Sequence, residues 1–261
     1  MNAVAAPPVD TDSLARFFQS RAVDEFAAVP SVTIRAPPGR RPADLFPACR
    51  TMIIFGKVMG DELFTGSVAE MSVRIAALKK ELLNISGDLV RVLEESGSSA
   101  VAVSSVVVRD GKVKGSLSLK HCAADAGLGE IGDNGLLLSP RFGIRLGLGA
   151  VLTDREIPGG AACHDTPQLC THCGLCIKAC PVKALTGDGI DTFRCLNLTG
   201  AIPGPLVSLF VRLMEVKSME PFLTEVANRV ANRSAARCSA CLTACPLFKK
   251  YTGKQGPARQ E

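Results

Sequence analysis

The sequence predicts an α+β protein built in two parts, and three observations carry that prediction. Helical and strand-like periodicities alternate through residues 1–160. Nine of the eleven cysteines crowd into residues 163–245. The formal net charge of +5 belongs wholly to the second part: residues 1–162 hold 18 Lys+Arg against 18 Asp+Glu, and residues 163–261 hold 12 against 7. With 261 residues, 47% hydrophobic and 21% charged, the chain can bury a core and is neither disordered nor fibrous. No run approaches the ~18 apolar residues of a membrane span. The first residues lack a basic start followed by an apolar stretch, and lack paired arginines, so a cytoplasmic location is expected.

In chain order, Asp12 is expected to cap a helix running to about Ala28, with Leu14, Phe17, Phe18 and Phe26 as its apolar stripe. Pro30 to Pro47 holds five prolines and should be irregular. Thr51 to Phe55 reads as a buried strand. A long helix follows, about Ser67 to Glu95, with Val68, Met71, Ile75, Leu78, Leu82 and Ile85 at 3/4 spacing, Gly87 as a break point and Gly97 as its stop. Ala100 to Val108 is a β-branched strand closed by an Asp110-Gly111 turn, and about Leu117 to Ala126 is a short helix. Residues 127–153 form a glycine-rich module whose Leu136–Leu138 and Ile144–Leu152 stretches read as strands. Residues 1–160 thus form one domain, and residues 161–261 a second. Within the second, an apolar helical insertion is expected at 200–235.

The cysteines are spaced for metal. In a reducing compartment they read as ligands before disulfides. Cys170-x2-Cys173-x2-Cys176-x3-Cys180-Pro181 has the spacing of bacterial ferredoxins, in which the fourth cysteine turns away to a second cluster. The partner motif is Cys238-x2-Cys241-x3-Cys245-Pro246, with Cys195 upstream. The crossover rule assigns Cys170, Cys173, Cys176 and Cys245 to one [4Fe–4S] cluster. It assigns Cys180, Cys195, Cys238 and Cys241 to the other. Zinc would call for two separated CxxC pairs rather than runs that end twice in Cys-Pro. Cys49, Cys122 and Cys163 are expected to be small core residues, and His164 and His172 to be surface residues flanking the first motif. Each cluster with four thiolates carries roughly −2, so two would nearly cancel the basic surplus. A nucleic-acid footprint is the competing account. Stacking aromatics are scarce, with no Trp and Tyr251 as the single Tyr.

The segment Ala126-Gly-Leu-Gly-Glu-Ile-Gly-Asp-Asn-Gly135 and its continuation to Asp154, followed by the two cysteine motifs, resembles the epoxyqueuosine reductases and their relatives the corrinoid reductive dehalogenases. Leu45 to Gly56 is similar to the first strand of that superfamily, and Val92 to Gly97 to its next helix end. The resemblance implies a nitroreductase-like N-terminal domain of the cobalamin-processing type and a C-terminal ferredoxin-like double-cluster domain. It implies two [4Fe–4S] clusters, a cobalamin, and a ferredoxin or flavodoxin as electron donor. Gly127, Gly129, Gly132, Gly135 and Gly143 are candidates for close approach to a cofactor; ordinary turns are the alternative. The acidic proton donor of the epoxyqueuosine reductases has no counterpart in Lys112 to Cys122. His121, Asp125, Glu130 and Asp133 are the remaining candidates near the module.

Three functions follow as expectations. The first is a cluster-bearing reductase, corrinoid-dependent, acting on a small or tRNA-borne substrate. The second is an electron-transfer or reductive-activation protein for the corrinoid or metal centre of a partner. The third is a cluster-bearing nucleic-acid-binding or redox-sensing protein.

Overall fold

The computed structural model describes residues 9–35, 41–103, 106–109, 112–115, 117–158, 168–186, 189–191, 194–195 and 238–250, with scattered positions between 212 and 222. Asp110, Cys163, His164, Tyr251 and nearly all of the expected insertion lie outside the described residues.

The N-terminal helix α1 spans Thr11–Gln19. Its cap is Asp10, not Asp12: the Asp10 carboxylate accepts from the Ser13 amide at 2.8 Å. The helix also stops earlier than its apolar stripe suggests. Ala22 turns the chain with φ +50°, and β1 (Glu25–Pro30) pairs antiparallel with β2 (Thr51–Val58). An unpaired edge on the buried strand β2 outweighs the local helical periodicity around Phe26. A short helix, α2, covers Pro42–Leu45.

Helix α3 spans Val68–Glu95 without a break at Gly87, and a Ser67–Glu70 capping box starts it. The expected strand after it divides. β3 (Ala100–Ala102) joins the main sheet, while β4 (Val106–Arg109) and β5 (Lys112–Gly115) form a separate hairpin. Helix α4 is Leu119–Asp125. The glycine-rich module contributes two short strands, β6 (Glu130–Ile131) and β7 (Leu137–Leu138), then β8 (Leu146–Thr153).

The main sheet has the order β1-β2-β8-β3 and is antiparallel throughout. Both faces of β2 are covered, which explains its unbroken apolar run. Ile53 and Phe55 face Leu82, Ile85, Leu89 and Leu93 of α3, together with Phe18. Met52 and Ile54 face Cys122 and Ala123 of α4, together with Leu128. Gly149 lies opposite Phe55, and a Cβ there would come within 2.5 Å of the phenyl ring. The cysteine-bearing segment adds α5 (Leu175–Ala179), α6 (Ala240–Thr243) and α7 (Pro246–Lys250). No helix among the described residues is long and apolar enough to cross a membrane.

Candidate iron–sulfur centre

Short helices position the thiols. Gly174, in the left-handed conformation at φ +68°, opens α5, which carries Cys176 and ends at Cys180. Cys241 lies on α6, and Cys245 precedes Pro246, the first residue of α7. All ten described cysteines are thiols rather than disulfides. Cys49 and Cys122 are buried in the N-terminal core, and burial pushes the Cys122 thiol up to about 12, so it is inert.

The other eight fall into two groups. Cys170, Cys173, Cys176 and Cys245 line one cavity of about 70 Å³, with Gly132, Asp133, Asn134 and Leu138 on its wall. Cys180, Cys195, Cys238 and Cys241 line a second of about 310 Å³, whose wall includes Met59, Phe64, Ile75, Lys120, Asn134 and Leu136. The electrostatics largely follow the same division, with Cys176 of the first group also acting on Cys241 of the second. Burial raises the Cys245 thiol above its ordinary range, and Cys173 and Cys170 add to the rise. Burial, with Cys238, Cys195, Cys180 and Cys176 as like-charged neighbours, pushes Cys241 up to about 11. Such crowding keeps the metal-free Cys241 and Cys245 thiols protonated; a cation would reverse it. Cys180 differs. Burial pushes it up, but the amides of Ala184, Val182, Leu185 and Lys183 outweigh that and hold it below the ordinary thiol value, the Ala184 amide donating to Sγ at 3.2 Å.

Each of the four proton-donor candidates already has a partner within the chain. Ser118 Oγ lies 2.6 Å from Nδ1 of the exposed His121. Asp125 accepts from the Arg35 amide at 2.8 Å. Glu130 accepts from the Leu169 amide at 2.6 Å and from the Cys170 amide, so it straps the module to the first cysteine loop. Asp133 meets His172 Nδ1 at 2.8 Å, and the ligand atoms of Asp133, Cys170 and His172 lie within 4.8 Å of one another.

Of the five glycines, Gly132 lines the first thiol cavity. Gly127 follows the C-cap of α4 at φ +81°, and Gly143 (φ +59°) closes a turn onto Ser139. Gly129 and Gly135 answer to packing within the chain, since a Cβ would fall 2.1 Å from the Leu138 carbonyl oxygen at the first and 2.8 Å from Ile190 at the second.

Three residues at the site escaped the sequence reading. Arg145 is 1% exposed and bolts the two halves together. Its Nε donates to the Phe248 carbonyl at 3.1 Å and its Nη1 to the Met59 carbonyl at 3.2 Å, while its guanidinium stacks 3.8 Å from the Phe248 ring centroid. Lys120, half-buried, donates to the Gly135 carbonyl, and burial lowers its ammonium below the usual lysine range. Asn134 borders both cavities. The available signals were a lone arginine inside an apolar run, a lysine beside His121, and an amide inside the Asp-Asn-Gly turn.

Residues 166–186 match the model of the 4Fe-4S binding domain. The epoxyqueuosine reductase of Synechococcus sp. (strain RCC307) is 44% identical over 94 residues, which is 33% of this chain and 28% of that protein. The tetrachloroethene reductive dehalogenase of Desulfitobacterium hafniense is 40% identical over 67 residues, 25% of this chain and 12% of that protein. The alignments therefore span only a minor part of these relatives. Among solved structures, epoxyqueuosine reductase from Streptococcus thermophilus superposes with a TM-score of 0.59 at 18% identity, over 94% of this chain and 67% of that one. Epoxyqueuosine reductase with a tRNA-Tyr epoxyqueuosine-modified stem loop gives 0.56 at 16% identity, over 93% and 66%. In part of its sequence and in fold over nearly its whole length, the chain resembles the epoxyqueuosine reductases, and in part of its sequence the reductive dehalogenases.

Proposed function

We propose that the chain is an iron–sulfur oxidoreductase with two [4Fe–4S] clusters, one held by Cys170, Cys173, Cys176 and Cys245 and the other by Cys180, Cys195, Cys238 and Cys241. One observation carries the reading: two quartets of thiols, each drawn from distant segments, line two separate cavities. Eight soft thiolate donors suit iron–sulfur cubes. On this reading residues 161–261 form a ferredoxin-like domain and residues 1–160 a nitroreductase-like one.

The N-terminal half would hold a corrinoid beside the second quartet. There Met59, Phe64, Ile75 and Leu136 offer an apolar wall. The cavity of about 310 Å³ is the second quartet's own site, so on this reading the cluster would fill its cysteine side and only the edge of a corrinoid would reach the apolar wall. The clusters would supply single electrons taken from a ferredoxin or flavodoxin, and the corrinoid a strongly reducing cobalt. The residues do the rest. Glu130 fixes the first cysteine loop against the module. Lys120, held by the Gly135 carbonyl, is the side chain of the N-terminal half placed to hold a proton on the second cavity's wall. The substrate class extends to a tRNA-borne base by likeness to the epoxyqueuosine reductase solved with a tRNA stem loop.

A second reading is favoured by the engagement of His121, Asp125, Glu130 and Asp133: the chain would reduce the corrinoid or metal centre of a partner and have no substrate of its own. Anaerobic purification with iron analysis, then titration with cobalamin, separates the two. About eight iron atoms per chain and tight retention of base-off cobalamin support the first. The same iron without retention, alongside fast reduction of a partner corrinoid protein, supports the second. A colourless protein holding zinc refutes both.

A further inference from the structure

Asn134 is 3% exposed and borders both thiol cavities. Its Oδ1 accepts from the Leu136 amide at 3.0 Å. Because that amide can only donate, the atom facing it is the oxygen, and the Nδ2 group remains. Among the described residues Nδ2 has no hydrogen-bond partner. Nδ2 is not among the fully buried unpaired atoms of the described residues, so it keeps access to the cavities that Asn134 borders, where an acceptor outside the polypeptide can meet it. The turn holding Asn134 is tight, with the Gly132 amide donating to the Leu136 carbonyl at 3.0 Å and the Gly135 amide to the Gly132 carbonyl at 2.7 Å. The neighbouring polar groups are already committed: Asp133 to His172, and Lys120 to the Gly135 carbonyl.

Resting on the two-cluster reading, we propose that the Nδ2 amide of Asn134 is a hydrogen-bond donor to the sulfur ligands of the clusters, set between the two sites and shared by them. Donors to cluster sulfur stabilise the more negative, reduced state and so raise the potential. A single residue of the N-terminal half would thus set how readily the ferredoxin-like half accepts electrons.

The test uses the anaerobically purified chain with its iron in place. Wild-type protein is labelled with 15N-asparagine, reduced, and examined by pulsed EPR for a nitrogen hyperfine coupling. Midpoint potentials are then measured by EPR-monitored titration in wild type and in Asn134→Asp, which keeps the oxygen that serves Leu136 and removes both donors. Asn134→Ala, which carries no donor, serves if Asn134→Asp does not load iron. The expected result is a coupling in wild type that is lost in the variant, together with a fall in at least one cluster potential. Unchanged potentials overturn the proposal. So does a fall without any asparagine coupling in wild type, which would belong to the added carboxylate charge. Absence of iron from wild type would overturn the two-cluster reading instead, a distinct outcome.

Discussion

Replacing Arg145 by Met tests whether the two halves are held by one buried side chain. The guanidinium is 1% exposed, satisfies the carbonyls of Phe248 and Met59, and stacks on the Phe248 ring. The buried Phe248 carbonyl left unpaired costs about 1–3 kcal/mol, the part-buried Met59 carbonyl less, and the lost cation–π contact about 1 kcal/mol. The Asp61 carboxylate, 2.6 Å from Nη2, is 44% exposed, so its loss of partner adds little. Relief of the buried charge offsets part of the total. The net expectation is a destabilisation of about 3 kcal/mol, or about 6–12 °C in the first unfolding transition for a protein of this size. Arg145→Lys, which can serve only part of the contacts, should fall between. The assay is anaerobic thermal unfolding followed by circular dichroism, with iron content measured alongside. A transition within about 1 °C of wild type for Arg145→Met would refute the reasoning, since it would leave the loss of both carbonyl contacts without consequence.

Cys180→Ala and Cys245→Ala should each lose one cluster and not the same one, seen as two different residual EPR signals; loss of the same signal from both would refute the crossover. Glu130→Ala removes the acceptor for the Leu169 and Cys170 amides, and at about 1.5 kcal/mol for one charge-assisted bond it should release iron to a chelator about tenfold faster. Although its side chain is exposed, His121 has its imidazolium disfavoured by partial desolvation against its neighbours and by Lys120, against a smaller opposing pull from Asp125, so its folded value lies below 6.5. The unfolded chain then binds more protons just below pH 6.5, and stability should rise as pH climbs through that window. His121→Gln should flatten this slope in denaturant titrations at successive pH values; an unchanged slope would assign it to other groups.

Much of the fold was legible because its signals are local and redundant. Thr51–Phe55 and the α3 periodicity each declare themselves within one element, and the structure follows both, except that α3 runs unbroken through Gly87. What was illegible is what depends on neighbours far along the chain. Phe26 fits a helical stripe, but β2 offers it an edge, and the long-range pairing prevails. Asp10 and Asp12 are equally plausible caps by type; only the Ser13 amide decides. At the site, the cysteine spacing suggested two groups of four, and the same residues line the two cavities. Glu130 was noticed for its chemistry, yet it serves the backbone of Leu169 and Cys170. Arg145 went unseen because a buried arginine announces nothing until its carbonyl partners, one of them more than 100 residues away, are known.

The interleaving of the two thiol groups has a consequence for synthesis. Both cavities need cysteines from residues 238–245. A nascent chain that has emerged only through residue 195 presents five of the eight thiols and completes neither site. Under the proposed ligation, metal delivery must wait until translation has passed residue 245. The half-made protein then depends on a reducing surrounding, or a chaperone, to keep those early sulfurs from being oxidised.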